Sequence, residues 1–164
     1  MSEPVSSSAV VLALALARAE RTAEGYELLA SAFEVANNLA ATAVFQELAE
    51  GSWTYVASFP AATVAPPPLS EWTQPAGEIS DADAVHYLMP PYYAFDLALR
   101  HEKASLALLE GFAGSPHAEV RSAAADIARR QQDRVDMVLA LRDSHPKPPP
   151  GWWIDEDGPN FQGD

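Results

Sequence analysis

The chain has 164 residues, of which 48% are hydrophobic and 9% aromatic, and its formal net charge at pH 7 is −13. This length and composition indicate one folded domain with a substantial core rather than a disordered chain, and the lack of cysteine excludes disulfides and thiolate chemistry. The negative charge disfavours binding to nucleic acids or to anionic membranes, because both interactions require a cationic surface.

The first half of the chain predicts two amphipathic helices. Helix 1 spans about residues 8–35, after a capping serine, with apolar residues at alternating steps of four and three. A turn at Asn37 and Asn38 precedes helix 2, which spans about residues 39–59. The apolar start of helix 1 lacks the positive region of a signal peptide and is too short to cross a bilayer. We therefore expect a soluble, cytoplasmic protein.

The second half predicts two more helices. Helix 3 begins at residue 90 or 91, where prolines suit a first helical turn, and it ends between residues 111 and 114. Ser115 is the predicted N-cap of helix 4, with Pro116 in the first helical position. Helix 4 ends near Arg142.

Residues 60–90, between the two helix pairs, are rich in proline and small residues and predict an irregular crossover. A short helix within it could begin at Ser80 or Asp81. Short turns join the helices within each pair, so each pair predicts an antiparallel hairpin. Two hairpins joined by one long crossover form the ferritin-like variant of the four-helix bundle. The predicted fold is therefore all-α, with this bundle over residues 1–145 and a tail, residues 146–164, that is too rich in proline to be helical.

The inward face of helix 4 has an unexpected polar centre. Gln131 and Arg134 lie on the same periodic stripe as its buried apolar residues, at a spacing of three. The corresponding stripes of the other helices also carry polar or small residues at mid-helix. These are Ala19 on helix 1, Ser52 and Tyr55 on helix 2, and Glu102 on helix 3.

Both halves of the chain share a pattern. The first half reads "LALALARAERTAEGYELLASAF" and then "FQELAEGSWTYVASF", and the second reads "LALRHEKASLALLEGFA" and then "ADIARRQQDRVDMVLAL". Over residues 9–142 this pattern resembles rubrerythrin, a family with a glutamate seven residues before a tyrosine on one helix and "LAxxExxH" on the next. The resemblance implies a bundle in which each hairpin supplies one glutamate and one Glu-x-x-His to a centre of two metal ions.

This sequence departs from that pattern at five of the six ligand positions. The glutamates and histidines of the family fall here on Ala19, Ser52, Tyr55, Glu102, Gln131 and Arg134, and only Glu102 matches. We therefore expect neither a diiron centre nor another cofactor. A buried carboxylate and a buried guanidinium each need a partner, so we predict a Glu102–Arg134 ion pair, supported by Tyr55, Gln131 and Ser52, in the place of the metals.

Two alternatives remain open at this stage. In one, the metal ligands have moved and the protein is a divergent diiron-type oxidoreductase. The carboxylates that could serve are predicted to face solvent; they are Glu20, Glu24, Glu27, Glu47 and Glu50. In the other, Glu102, Arg134 and Tyr55 form an acid–base set. The adjacent His101 is predicted to be a surface residue.

Four aromatic residues lie outside the predicted helices. They are Trp72 in the crossover and Trp152, Trp153 and Phe161 in the tail. Either they pack back on the bundle or they anchor a partner, since tryptophan is favoured at binding hot spots. The resemblance also implies self-association, so we expect a homodimer. The sequence thus favours a non-catalytic binding or scaffold protein whose partner, protein or small molecule, it does not name.

Overall fold

The computed structural model describes residues 5–68 and 85–154, which form four α-helices and no strand. In chain order the helices are α1 (Ser8–Val35), α2 (Leu39–Ala57), α3 (Pro91–Glu110) and α4 (Ala118–Asp143), with a 3₁₀ turn, Gly111–Gly114, after α3. The all-α prediction is therefore confirmed. The possible helix start at Ser80 or Asp81, and the side chains of Trp72 and Phe161, lie outside the described residues.

Local chemistry sets three of the helix starts. The Ser7 hydroxyl accepts from the backbone N–H of Val10 at 3.3 Å and caps α1. The side-chain oxygen of Asn38 accepts from the N–H of Ala41 at 3.0 Å and caps α2. The preceding Asn37 has φ 59°, a left-handed conformation that asparagine tolerates. Pro91 occupies the first turn of α3, where its missing N–H costs nothing.

Two predicted boundaries need correction. Helix α4 begins at Ala118, and Ser115 does not cap it, because the chain is still extended at His117. The Ser115 hydroxyl instead accepts from the N–H of His117 at 3.2 Å, within the turn. Helix α2 ends at Ala57, with Ser58 as its C-cap, although Phe59 is buried as expected.

The helix directions follow from contacts at the two ends of the bundle. At one end, the Asn38 side-chain amide donates to the carbonyl oxygen of Met89 at 2.9 Å, so α2 and α3 begin side by side. At the other, the Ser8 hydroxyl donates to the Glu119 carboxylate at 3.4 Å, so α1 and α4 begin side by side. Helices α2 and α3 are therefore parallel, so the end of α2 and the start of α3 lie at opposite ends of the bundle.

The core consists of two apolar clusters, one toward each end. The first contains Phe33 stacked on Phe45, with ring centroids 5.5 Å apart, together with Phe95. The second contains Val11, Leu14, Phe59, Phe112 and Val120. Several polar side chains are buried between them. None of the four helices combines the length and the apolar character needed to cross a bilayer, in the part of the chain that the structure describes.

A candidate functional site at the centre of the bundle

The six positions singled out from the sequence surround one cavity. It has a volume of ≈ 20 Å³ and adjoins the second apolar cluster, whose members Ala15, Ala19, Leu109 and Ile127 form part of its wall. All four helices contribute to its wall, and the wall includes each of the six positions; these are Ala19, Ser52, Tyr55, Glu102, Gln131 and Arg134. The structure thus brings all six together, and each helix contributes through the inward stripe that its periodicity predicts.

The centre of the site is an ion pair between α3 and α4. Arg134 Nη2 lies 3.0 Å from Glu102 Oε1, and Arg134 Nε lies 3.3 Å from Glu102 Oε2. The contact is bidentate, so the planar guanidinium matches the plane of the carboxylate. Glu102 is only 1% exposed and Arg134 9%. Each of these buried charges is stabilised by the opposite charge of its partner, because an isolated buried charge is strongly unfavourable.

Glu102 accepts two further hydrogen bonds. The Gln131 amide donates to Oε2 at 2.7 Å, and the Tyr26 hydroxyl donates to Oε1 at 2.9 Å. With the two bonds from Arg134, both carboxylate oxygens are fully used. Tyr26 is absent from the site predicted from sequence, although it lies on the inward stripe of α1, seven residues after Ala19. That heptad spacing is the signal that could have found it.

Ser52 and Tyr55 hold the guanidinium from the α2 side. Arg134 Nη2 donates to the Ser52 hydroxyl oxygen at 2.7 Å, and Nη1 lies 3.4 Å from the carbonyl oxygen of Gly51. Tyr55 stacks against Arg134, whose guanidinium carbon lies 4.8 Å from the centre of the ring. Tyr55 therefore supports the pair through its aromatic face, a cation–π contact, and no hydrogen bond joins it to Glu102 or Arg134 among the described residues.

The electrostatics of the site keep Tyr26 neutral. Burial raises the pKa of the Tyr26 hydroxyl well above its usual value, and the neighbouring negative charge of Glu102 raises it further. A neutral hydroxyl can donate to the carboxylate, so this shift preserves the hydrogen bond to Glu102. The site is consequently a closed set of complementary groups: one carboxylate, one guanidinium and neutral donors.

His101 does not lie on the surface as predicted. Its ring is half-buried and packs edge-on against Tyr26, with 6.2 Å between the ring centroids. The ring nitrogen Nε2 is buried and has no hydrogen-bond partner among the described residues. Burial lowers the pKa of His101 to about 4, and the positive charge of Arg18 contributes to the lowering. His101 is thus neutral near pH 7. The prediction was wrong because residues beside the inward stripe of α3, such as His101, are also partly covered by the neighbouring helix α1.

A dimetal centre does not fit these residues. Such a centre in ferritin-like bundles uses four carboxylates and two histidines, whereas the described residues of the cavity wall offer one carboxylate, already saturated, and a guanidinium that would repel a cation. No group of three or more histidine, aspartate or glutamate side chains that could hold a metal ion occurs within residues 5–68 and 85–154. The carboxylates considered as relocated ligands are all exposed; they are Glu20, Glu24, Glu27, Glu47 and Glu50.

The two tryptophans of the tail differ in environment. Trp152 is partly buried against the first apolar cluster, where its ring stacks on Tyr93 with 5.1 Å between centroids and meets His86 edge-on at 5.6 Å. Trp153 is 54% exposed, and the next residue, Ile154, is 60% exposed. One tryptophan therefore covers the end of the bundle, and the other is largely exposed.

Comparisons with known proteins yield no relative that would assign a function: no protein-family model matches the chain, and no curated protein and no solved structure shows significant similarity to it.

Proposed function

We propose that this protein is a ferritin-like, rubrerythrin-related bundle in which a Glu102–Arg134 ion pair has replaced a dimetal centre, and that it acts as a non-catalytic binding or scaffold protein. One observation carries the proposal. The six positions that align with the ligands of rubrerythrin line a single cavity, and five of them carry side chains that cannot act as the family's ligands.

The helix directions also support this relationship. Parallel α2 and α3, with the end of α2 and the start of α3 at opposite ends of the bundle, fit two antiparallel hairpins joined by one long crossover, which is the topology of ferritin-like bundles. A simple up-and-down bundle would instead place α2 and α3 antiparallel. The topology and the cavity are independent observations, because the first depends on contacts at the ends and the second on the middle of the bundle.

The state of the polar groups supports a non-catalytic role. A catalytic carboxylate needs an oxygen that can reach a substrate, and both oxygens of Glu102 already accept two hydrogen bonds each. The cavity beside it is ≈ 20 Å³, which is about enough for one water molecule. An organic substrate does not fit there, and this also weighs against the acid–base alternative.

Restoring the ligands tests the proposed relationship. The variant A19E/S52E/Y55H/Q131E/R134H recreates, together with the native Glu102, the complete ligand pattern of the family. Four buried carboxylates repel one another unless cations neutralise them, so we expect this variant to fold only with Fe(II) or Zn(II), and to bind two ions per chain. Circular dichroism and elemental analysis measure both properties.

The matched control adds Glu102→Ala to the restored variant. It should lose most of the metal, because Glu102 is then one of the ligands. If the restored variant binds no more metal than the wild type, or if the control binds equally well, the six positions do not correspond to a ligand set and the proposed relationship is wrong.

The surface proposed for binding is Trp153 with Ile154, and the expected partner is a second copy of the chain, as the resemblance implies. Both side chains are more than half exposed, and tryptophan contributes strongly at interfaces. Sedimentation velocity of the wild type should show a dimer that Trp153→Ala weakens at least tenfold. A monomeric wild type at 100 μM, or a dimer that tolerates Trp153→Ala, would contradict this assignment.

A further inference from the structure

Two serine hydroxyls in the wall of the central cavity carry hydrogens that no residue in the described part of the chain accepts. Ser52 and Ser105 are 2% and 6% exposed, and both belong to the cavity wall. The Ser52 oxygen accepts from Arg134 Nη2 at 2.7 Å, and the Ser105 oxygen accepts from Arg18 Nε at 3.1 Å. A hydroxyl also has one hydrogen to donate. Each of these buried serines therefore has a donor in need of an acceptor.

The side chain of Gln131 shows the opposite case, an acceptor in need of a donor. Its amide nitrogen donates to the backbone carbonyl oxygen of Glu102 at 3.0 Å and to Glu102 Oε2 at 2.7 Å. Both partners are acceptors, so these bonds identify the nitrogen end of the amide and use its two hydrogens. The amide oxygen accepts from no residue that the structure describes, although Gln131 is only 4% exposed and lies in the same wall.

The carboxylate of Glu102 does not supply the missing acceptor. It already accepts four hydrogen bonds, from Tyr26, Gln131 and two nitrogens of Arg134, and a carboxylate offers about four lone-pair positions. A group that satisfies the remaining atoms must accept from the serine hydroxyls and donate to the amide oxygen. A halide ion only accepts, and a metal cation only binds acceptors, so neither matches this set.

We propose that the cavity binds one water molecule, which links Ser52 on α2, Ser105 on α3 and Gln131 on α4. Water both donates and accepts, and a buried water typically makes about three hydrogen bonds. The cavity volume of ≈ 20 Å³ also suits this ligand, because one water needs about 10–15 Å³ of such volume and two waters need more than the cavity offers. The water joins the first helix pair to the second, beside the Glu102–Arg134 ion pair.

The inference goes beyond the proposed function and does not depend on it. It follows from the hydrogen-bonding groups of the wall and from the volume of the cavity, whatever the ancestry of the fold. A restored ligand set that binds no metal would overturn the proposed relationship, whereas a dry cavity in the wild type would overturn only this inference.

Crystals of the wild type provide the direct test, and no variant is needed to interpret it. We expect one electron-density peak in the cavity, within about 3.2 Å of Ser52 Oγ, Ser105 Oγ and Gln131 Oε1. The same peak should give no anomalous signal in crystals grown in bromide. An empty cavity, or a bromide signal at this position, would overturn the proposal.

Magnetic relaxation dispersion of the water oxygen nucleus provides the solution test, because it counts the water molecules that stay bound to the protein. Ser105→Thr keeps the hydroxyl that accepts from Arg18 and adds a methyl group of about the size of one water. We expect this variant to lose one long-lived water relative to the wild type. The control Ser31→Thr makes the same change at an exposed position of α1 and should lose none. Equal counts for the wild type and Ser105→Thr would overturn the proposal.

Discussion

Replacing Arg134 with methionine tests how strongly the bundle depends on its central ion pair. The substitution removes both bonds to Glu102 and the bond to Ser52, and leaves a carboxylate that is 1% exposed with donors only from Tyr26 and Gln131. Breaking one partner out of a buried pair costs about 3–5 kcal/mol. A domain of this size is stable by about 5–15 kcal/mol in total, so the variant should lose about a fifth or more of its stability.

The assay is urea unfolding at pH 7, followed by far-UV circular dichroism, for R134M, E102Q and the double variant. Because the two side chains share hydrogen bonds, their effects should not add. We expect the double variant to be more stable than the sum of the singles predicts, by about 2 kcal/mol or more. The control is Arg129→Met, which removes an exposed pair with Asp126 on the same helix and should cost no more than about 0.5 kcal/mol.

The reasoning is refuted if R134M costs less than about 1 kcal/mol at pH 7, or if the effects of the two substitutions are additive.

Two further predictions concern the histidine beside the site and the tryptophans of the tail. His101 has a folded pKa of about 4 against an ordinary value of 6.5, so its contribution to stability is complete above pH 6.5 and declines, by at most about 3 kcal/mol, as pH falls toward 4. The stability difference between the wild type and His101→Leu, measured by urea unfolding, should therefore change by more than about 1 kcal/mol between pH 7 and pH 4.5. A difference that does not change with pH would contradict the argument from burial. Trp152→Ala should lower the free energy of unfolding by about 2–3 kcal/mol, since it removes a partly buried ring from the first apolar cluster. Trp153→Ala should change the free energy of unfolding by less than about 1 kcal/mol. Equal losses for the two variants would show that both tryptophans pack on the bundle.

Much of the fold was predictable, because apolar residues recur at helical spacings of three and four with polar residues between them. On α3, the stripe from Phe95 through Glu102 to Phe112 is buried throughout, as its spacing indicates. At the start of α1 the pattern fails. The steps of four and three that lead to Ala19 also place Leu12 and Leu16 on the inward stripe. Both are only partly buried, and Val11 and Leu14 are buried instead. That run is apolar all round, so periodicity could not select a face, and packing against Phe112 and its neighbours did.

The central site was predictable in its positions but not in its bonds. The inward stripes and the resemblance together place Glu102 and Arg134 at the same level of the bundle, and charge balance then indicates a pair. Side-chain conformation lies beyond such arguments. Tyr55 supports the pair as predicted, but it does so by stacking on Arg134. The hydroxyl that reaches Glu102 belongs to Tyr26, seven residues after Ala19 on α1. Which tyrosine reaches Glu102 depends on helix rotation and separation, and spacing alone does not set these.

The metal content of the wild-type protein tests the central claim most directly. Protein purified without chelator is loaded anaerobically with excess Fe(II) or, separately, with excess Zn(II). After desalting, its metal content is measured by elemental mass spectrometry. In the proposed relationship the Arg134 guanidinium, 3.0 Å from Glu102, takes the place of the cations. We therefore predict far less than one ion per chain and no change in Tm. Two ions per chain, lost in Glu102→Ala, would contradict the account.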